Sequence, residues 1–249
     1  MPGRFSNLTG FILAGGASRR MGRPKQHLIL SGETQILRQR RLLESVCGEV
    51  AVVGGSLPER LALPQAPNRP KRPKKEEPLA FYEDLLPGHG PLGGIYTGLL
   101  RTRTEYNLFV GCDMPFLSAA FLRFIGQRAL AMQADVTVSE SADHRLQGLC
   151  GVYRRRARAP IRACLARDEN KISAFYPRIR SEVIRWREIM HAGFRTNIFT
   201  NMNTPDDYLA VQKMLGEERF ELGRASEVKL VQISFALWAQ PAATPLAAS

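Results

Sequence analysis

Short apolar runs alternate along this chain with longer stretches in which apolar residues recur at helical spacing. Gly10 to Leu13 reads as a buried strand, and Thr34 to Cys47 as an amphipathic helix with Ile36, Leu37, Leu43, Val46 and Cys47 on one side. Val50 to Val53 predicts a second strand that ends at Gly54-Gly55. Leu108 to Val110 predicts another, and Ser118 suits the N-cap of a helix whose Leu122, Ile125, Ala129 and Met132 share a face. Further strands are expected at Asp135 to Val138, Leu149 to Tyr153 and Glu182 to Trp186, with a helix near Ala159 to Arg167. Strand alternating with helix implies an α/β fold around a mostly parallel sheet. Such open sheets gather ligands at the carboxyl ends of their strands, where the glycines after Leu13 and the carboxylate of Asp113 would both emerge.

Two stretches break this rhythm. Residues 64–78 hold five prolines and the cations Arg69, Lys71, Arg72, Lys74 and Lys75, and are expected to form a flexible basic insertion. Beyond Leu215 a further strand is expected at Val228 to Trp238, before an alanine- and proline-rich tail from Gln240. The expected division is a main unit over residues 1–215 and a partly disordered extension over 216–249.

The 249 residues, 44% of them hydrophobic, can bury a core, which excludes wholesale disorder. No apolar run reaches the roughly eighteen residues of a membrane span. Met1 to Thr9 lacks the charged and then apolar regions of a secretory signal, so a cytoplasmic location without a membrane partner is expected. Cys47, Cys112, Cys150 and Cys164 lie far apart with no C-x-x-C pair or zinc spacing, and are expected to be reduced and mostly buried. The formal charge of +12 favours anionic partners such as nucleotides, phosphorylated metabolites or nucleic acid, without choosing among them.

Chemistry concentrates in a few motifs. Leu13-Ala14-Gly15-Gly16-Ala17-Ser18-Arg19-Arg20-Met21-Gly22-Arg23-Pro24-Lys25 places bare backbone and then dense cations after a strand. Glycine lets N–H groups approach phosphate oxygens, and a lysine ammonium adds a fixed charge. The spacing matches neither the P-loop nor the dinucleotide-binding fingerprint. Gly111-Cys112-Asp113-Met114-Pro115-Phe116 mounts a carboxylate directly after a buried strand, a suitable perch for Mg²⁺, which takes one or two carboxylates together with phosphates and water. Cys112 beside it reads as a packing residue. Glu83-Asp84 precedes Gly88-His89-Gly90-Pro91-Leu92-Gly93-Gly94, a glycine-rich loop entering a helix, in which His89 reads as a surface histidine. Near the end, Asn201-Met202-Asn203-Thr204-Pro205-Asp206-Asp207 reads as a helix start, with Thr204 as N-cap and Pro205 at the first position.

In this order the motifs resemble those of nucleotidyltransferases, and most closely the molybdenum cofactor guanylyltransferase family, from about Gly10 to Leu215 outside the basic insertion. The resemblance rests on the L-A-G-G-x-S-x-R-M-G-x-x-K opening, G-P-L-x-G, G-C-D-M-P-F and N-x-N-T-P. It implies a Rossmann-like three-layer nucleotidyltransferase fold that transfers GMP from GTP to molybdopterin and releases pyrophosphate, with Mg²⁺ as cofactor. It would set Leu13, Ala14, Gly15, Gly16, Ser18, Lys25, Gly54, Asp84 and Asp113 around the nucleotide. Lys25, Asp113 and Arg20 would be catalytic, Asp113 would carry the metal, and Asn201 and Asn203 would face the acceptor. Arg145 to Tyr153 resembles the strand lining the acceptor side, with Gly148 where a proline is usual. Gly54-Gly55 stands where the family often carries a nucleotide-contacting asparagine, which weakens the assignment of guanine.

The partners implied are GTP and molybdopterin, with molybdoenzyme-maturation proteins as further candidates and nucleic acid not expected. One alternative is a cytidylyl- or sugar-phosphate nucleotidyltransferase on the same fold. Another is a nucleotide- or nucleic-acid-binding module built around the basic insertion, whose affinity would fall steeply with salt.

Overall fold

A computed structural model describes residues 3–15, 28–54 and 79–216. Strand β1 (Phe5–Leu13) is followed by a small hairpin, β2 (Ile29–Leu30) and β3 (Glu33–Thr34), and then by α1 (Gln35–Glu44), β4 (Cys47–Gly54) and β5 (Ala80–Glu83). Next come α2 (Gly90–Arg101), β6 (Tyr106–Gly111), α3 (Ala119–Met132), β7 (Val136–Glu140) and β8 (Leu146–Arg154). The chain continues through α4 (Arg158–Leu165), β9 (Ser181–Ile184), α5 (Trp186–His191) and a helix over residues 205–216, α6.

The described residues form a seven-stranded sheet in the order β5-β4-β1-β6-β8-β7-β9. Pairing is parallel except at β8, which runs antiparallel to both β6 and β7. A tight turn explains the reversal: Ser141 N–H donates to the Arg145 carbonyl at 2.9 Å and His144 takes a positive φ of 60°, so β8 folds straight back beside β7. The fold is thus the mostly parallel α/β sandwich that strand–helix alternation implies.

Side-chain alternation along β1 builds two layers of core. Leu8 and Ile12 point to one face, where Leu43 of α1 and Phe121 and Ile125 of α3 cover them. Phe11 and Leu13 point to the other, against Ile95 of α2 and Ile161 of α4. Helix α2 lies unusually near the sheet: a Cβ on Gly98 would stand 2.6 Å from the Phe109 ring, so only glycine fits that crossing. Among the described residues no helix is long and apolar enough to cross a membrane.

Several expectations need correcting. The first helix stops at Glu44 rather than running to Cys47, because the Ser45 hydroxyl and Val46 N–H bond the Leu42 and Leu43 carbonyls and close the last turn. Cys47 then opens β4, in register with Phe5. Trp186 begins α5 instead of ending a strand, since the Glu188 carboxylate accepts from the Arg185 N–H at 3.0 Å and starts a helix there. Strand β5 carried no signal of its own, with Phe81 and Tyr82 only partly buried at the sheet's edge. The 64–78 insertion and the Val228 to Trp238 segment lie outside the described residues, as do Gly16, Ser18, Arg20 and Lys25.

Candidate active site

Four parallel strands end together. Leu13 is in register with Val53 on one side and Gly111 on the other, and Gly54 with Glu83. The chain therefore delivers Ala14-Gly15, Gly54, Asp84 and Asp113 to one rim of the sheet, as expected for an open α/β fold.

Asp113 is half-buried just past β6. Its carboxylate folds back over Gly111, where a Cβ would lie only 2.6 Å from Oδ1, so the bare glycine makes the carboxylate's seat. Helix α1 holds the loop beneath. The buried amide of Gln35 donates to the Cys112 carbonyl at 3.3 Å, and that of Gln39 to the Met114 carbonyl at 2.7 Å. Arg38 Nε adds a bond of 3.0 Å to the Pro115 carbonyl. None of these three was legible as a site residue, although two glutamines on the apolar face of an amphipathic helix were the available signal. All four cysteines are buried and outside any disulfide, and burial pushes the Cys47 and Cys150 thiols up to about 12, which makes them inert packing groups.

Asp84 sits at the other side of the rim. Its N–H donates to the Gly54 carbonyl at 2.7 Å, while its Oδ1 accepts from Leu86 N–H and from the Thr97 hydroxyl, both at 3.0 Å. Both side-chain bonds fall on Oδ1, which ties the carboxylate to the turn before α2 and to the middle of that helix. Gly54 is not sterically required, since a Cβ there would make ordinary contacts of 3.5 Å with Phe81 and 3.6 Å with Ala14. His89 differs from the expectation of a plain surface histidine: its Nδ1 lies 2.8 Å from Asn170 Oδ1, across to the turn after α4.

A cleft of about 470 Å³ opens beside Asp113, lined by Met114, Gln147, Leu149, Lys171, Tyr176 and Asn201 among others. Strand β8 forms one wall. Leu149 lies beside Gly111, and with a rise of about 3.4 Å per residue Arg145 sits roughly 14 Å farther out. Gly148, in the position where a proline was expected, is enclosed: a Cβ would come within 2.6 Å of Ile172 Cγ2 and 3.0 Å of the Tyr176 hydroxyl. Burial pushes the Tyr176 phenol up to about 12, so it stays neutral.

The predicted helix start brings one of its two asparagines here. Fully buried Met202 donates its N–H to the Asp113 carbonyl at 2.9 Å, and α6 docks on β2 through Leu28, Leu30, Val211 and Leu215. Asn201 lines the cleft. Asn203 sits one step farther, its N–H on Asp207 Oδ2 at 2.8 Å, within the expected cap in which Thr204 Oγ1 accepts from Asp207 N–H.

A carboxylate-bearing rim on a mostly parallel sheet, next to a cleft, is where open α/β domains bind ligands. The family model of the MobA-like NTP transferase domain matches residues 10–182, and the chain belongs to that family. It is 32% identical over 211 residues to a probable molybdenum cofactor guanylyltransferase of Pelotomaculum thermopropionicum, covering 85% of this chain and 95% of the relative. A counterpart from Chloroflexus aggregans is 33% identical over 217 residues, covering 84% and 95%. Among solved structures, molybdopterin-guanine dinucleotide biosynthesis protein A from Archaeoglobus fulgidus superposes with a TM-score of 0.69 at 19% identity, over 84% of this chain and 99% of that one. A manganese complex of Rv0371C from Mycobacterium tuberculosis superposes with a TM-score of 0.57 at 16% identity, over 84% and 99%.

Proposed function

We propose that this protein transfers GMP from GTP to molybdopterin, giving a guanine dinucleotide cofactor and pyrophosphate. The observation that carries the reading is the bond from Met202 N–H to the Asp113 carbonyl, which places the carboxylate loop and the Asn201 cleft side by side. Nucleotide and acceptor would then meet at Asp113. The names of the relatives supply the identity of both substrates.

Under this reading the loop of Leu13, Ala14, Gly15, Gly16 and Ser18 wraps the nucleotide, and Asp84 receives the base. Lys25 and Arg20 put positive charge on the triphosphate, and Asn201 and Asn203 hydrogen-bond the acceptor. The acceptor's phosphate monoester is already ionised at neutral pH, so no general base is needed for its in-line attack. Catalysis is then positioning and electrostatics, with Gln35, Arg38 and Gln39 keeping the Asp113 loop in place.

The donor set suits Mg²⁺. Among the described residues no three His, Cys, Asp or Glu side chains gather into a cage, and the Asp113 carboxylate folds over Gly111. A hard cation that completes its shell with phosphate oxygens and water fits one such carboxylate. When bound, it would supply neutralising charge for the departing pyrophosphate. The manganese in the Mycobacterium tuberculosis neighbour is in keeping with a divalent ion on this fold.

Pyrophosphate release measured with molybdopterin and either GTP or CTP tests the reading. Release with GTP and little with CTP is the expected result; preference for CTP would reassign the base, and release with neither would refute the transfer.

A further inference from the structure

We propose that Lys171 is the acceptor-recognising cation of the cleft and that His89 positions it; this rests on the transfer reading given above. The turn that carries Lys171 crosses from α4 to the 3₁₀ stretch Ile172–Arg178, and Lys171, Ile172 and Ser173 all line the cleft. Lys171 is exposed, and its ammonium has no ion-pair or hydrogen-bond partner among the described residues. Its basic neighbours are already engaged: Arg145 pairs with Asp143 at 3.1 Å, and Arg167 and Arg178 with Glu169 at 3.0 and 3.1 Å. An ammonium at the wall of this cleft that is uncompensated among the described residues is suited to an anion, and a phosphate monoester carries a charge of about −1.5 to −2. Lysine serves such a ligand as a compact point charge.

The turn is held from the nucleotide side. Asn170 Nδ2 donates to Asp168 Oδ1 at 2.8 Å, where Asp168 takes a positive φ of 58°. That bond turns Asn170 Oδ1 toward His89, whose Nδ1 lies 2.8 Å away and therefore donates. His89 occupies the N-cap of α2, five residues after Asp84 and between Gly88 and Gly90, both with positive φ. The strut His89–Asn170–Asp168 thus links the loop of the predicted base-binding carboxylate to the residue next to Lys171. His89 touches neither reacting group; it acts by fixing where the ammonium stands.

The experiment is steady-state transfer with GTP and molybdopterin by the full chain, with KM read separately for each substrate. Lys171→Met is expected to raise the acceptor KM by about 10- to 100-fold, leave the GTP KM unchanged and flatten the salt dependence of the acceptor KM. Lys171→Arg should restore most of the loss. His89→Ala should raise the acceptor KM about 3- to 5-fold, add nothing in the Lys171→Met background, and be rescued by His89→Asn, whose amide reproduces the Nδ1 donor. An acceptor KM in Lys171→Met within twofold of wild type overturns the inference while wild-type turnover upholds the reading beneath it. Fully multiplicative His89 and Lys171 effects overturn the positioning role. Absence of transfer by the wild-type chain would overturn both.

Discussion

Replacing Gly111 by alanine isolates the seat of the Asp113 carboxylate from the stability of the fold. The new Cβ would lie 2.6 Å from Oδ1, and ordinary contact begins near 3.4 Å, so the carboxylate must retreat by about 0.8 Å. Nothing else resists the methyl: its next neighbour is Leu149 Cβ at 3.6 Å, and Gly111 is not among the residues with positive φ. A misplacement near 1 Å at a reacting centre costs on the order of 100-fold. The expected loss in kcat is therefore about 10- to 100-fold, or roughly 1.4–2.7 kcal/mol of transition-state stabilisation. Alanine in a strand is favoured over glycine by about 0.5–1 kcal/mol, so Tm should hold or rise by about 1–4 °C. Pyrophosphate release and a thermal melt on the same preparation read both quantities. In an Asp113→Ala background the Gly111→Ala change should cost no further activity. Unchanged kcat in Gly111→Ala, or an equal loss in both backgrounds, would refute the placement of this carboxylate at the reaction.

Three other outcomes are expected. Gln39→Leu removes the donor to the Met114 carbonyl and should cost about 1–2 kcal/mol in chemical denaturation, with a fall in transfer rate as the Asp113 loop loosens. Gly148→Ala should cost about 1–3 kcal/mol by pressing on Ile172, and adding Ile172→Ala should recover part of it because the clashing Cγ2 is removed. Hydrogen bonds from Arg167, then Arg178 and Cys164, lower the Glu169 carboxyl to about 2. A depressed carboxyl stabilises the fold above its unfolded value of about 4.3 and loses that contribution as pH falls from there toward 2. The Tm gap between wild type and Glu169→Gln should therefore stay constant from about pH 6 to 8 and shrink below about pH 5.

Most of the sheet was legible because its strands are buried on both faces and read as apolar runs, as at Gly10 to Leu13 and Leu108 to Val110. Strand β5 escaped because an edge strand with one covered side needs few apolar residues. The stretch read as a glycine-rich loop entering a helix is already helical from Gly90, and farther along α2 Gly98 admits the Phe109 ring. Asp113 was singled out by a local signal, a carboxylate after a buried strand, and Asn201 by the resemblance of its stretch to the family's N-x-N-T-P motif. Gln35, Gln39 and Asn170 were not, since each acts through a contact between segments distant in the chain.

If Asp113 serves nucleotidyl transfer at this rim, GTP labelled at its α-phosphorus will show it. Wild-type protein incubated with molybdopterin and Mg²⁺ should pass the label into a guanine dinucleotide product, and Asp113→Asn, with its fold intact, should pass almost none. Equal label transfer by the two proteins would mean that Asp113 has no part in the reaction.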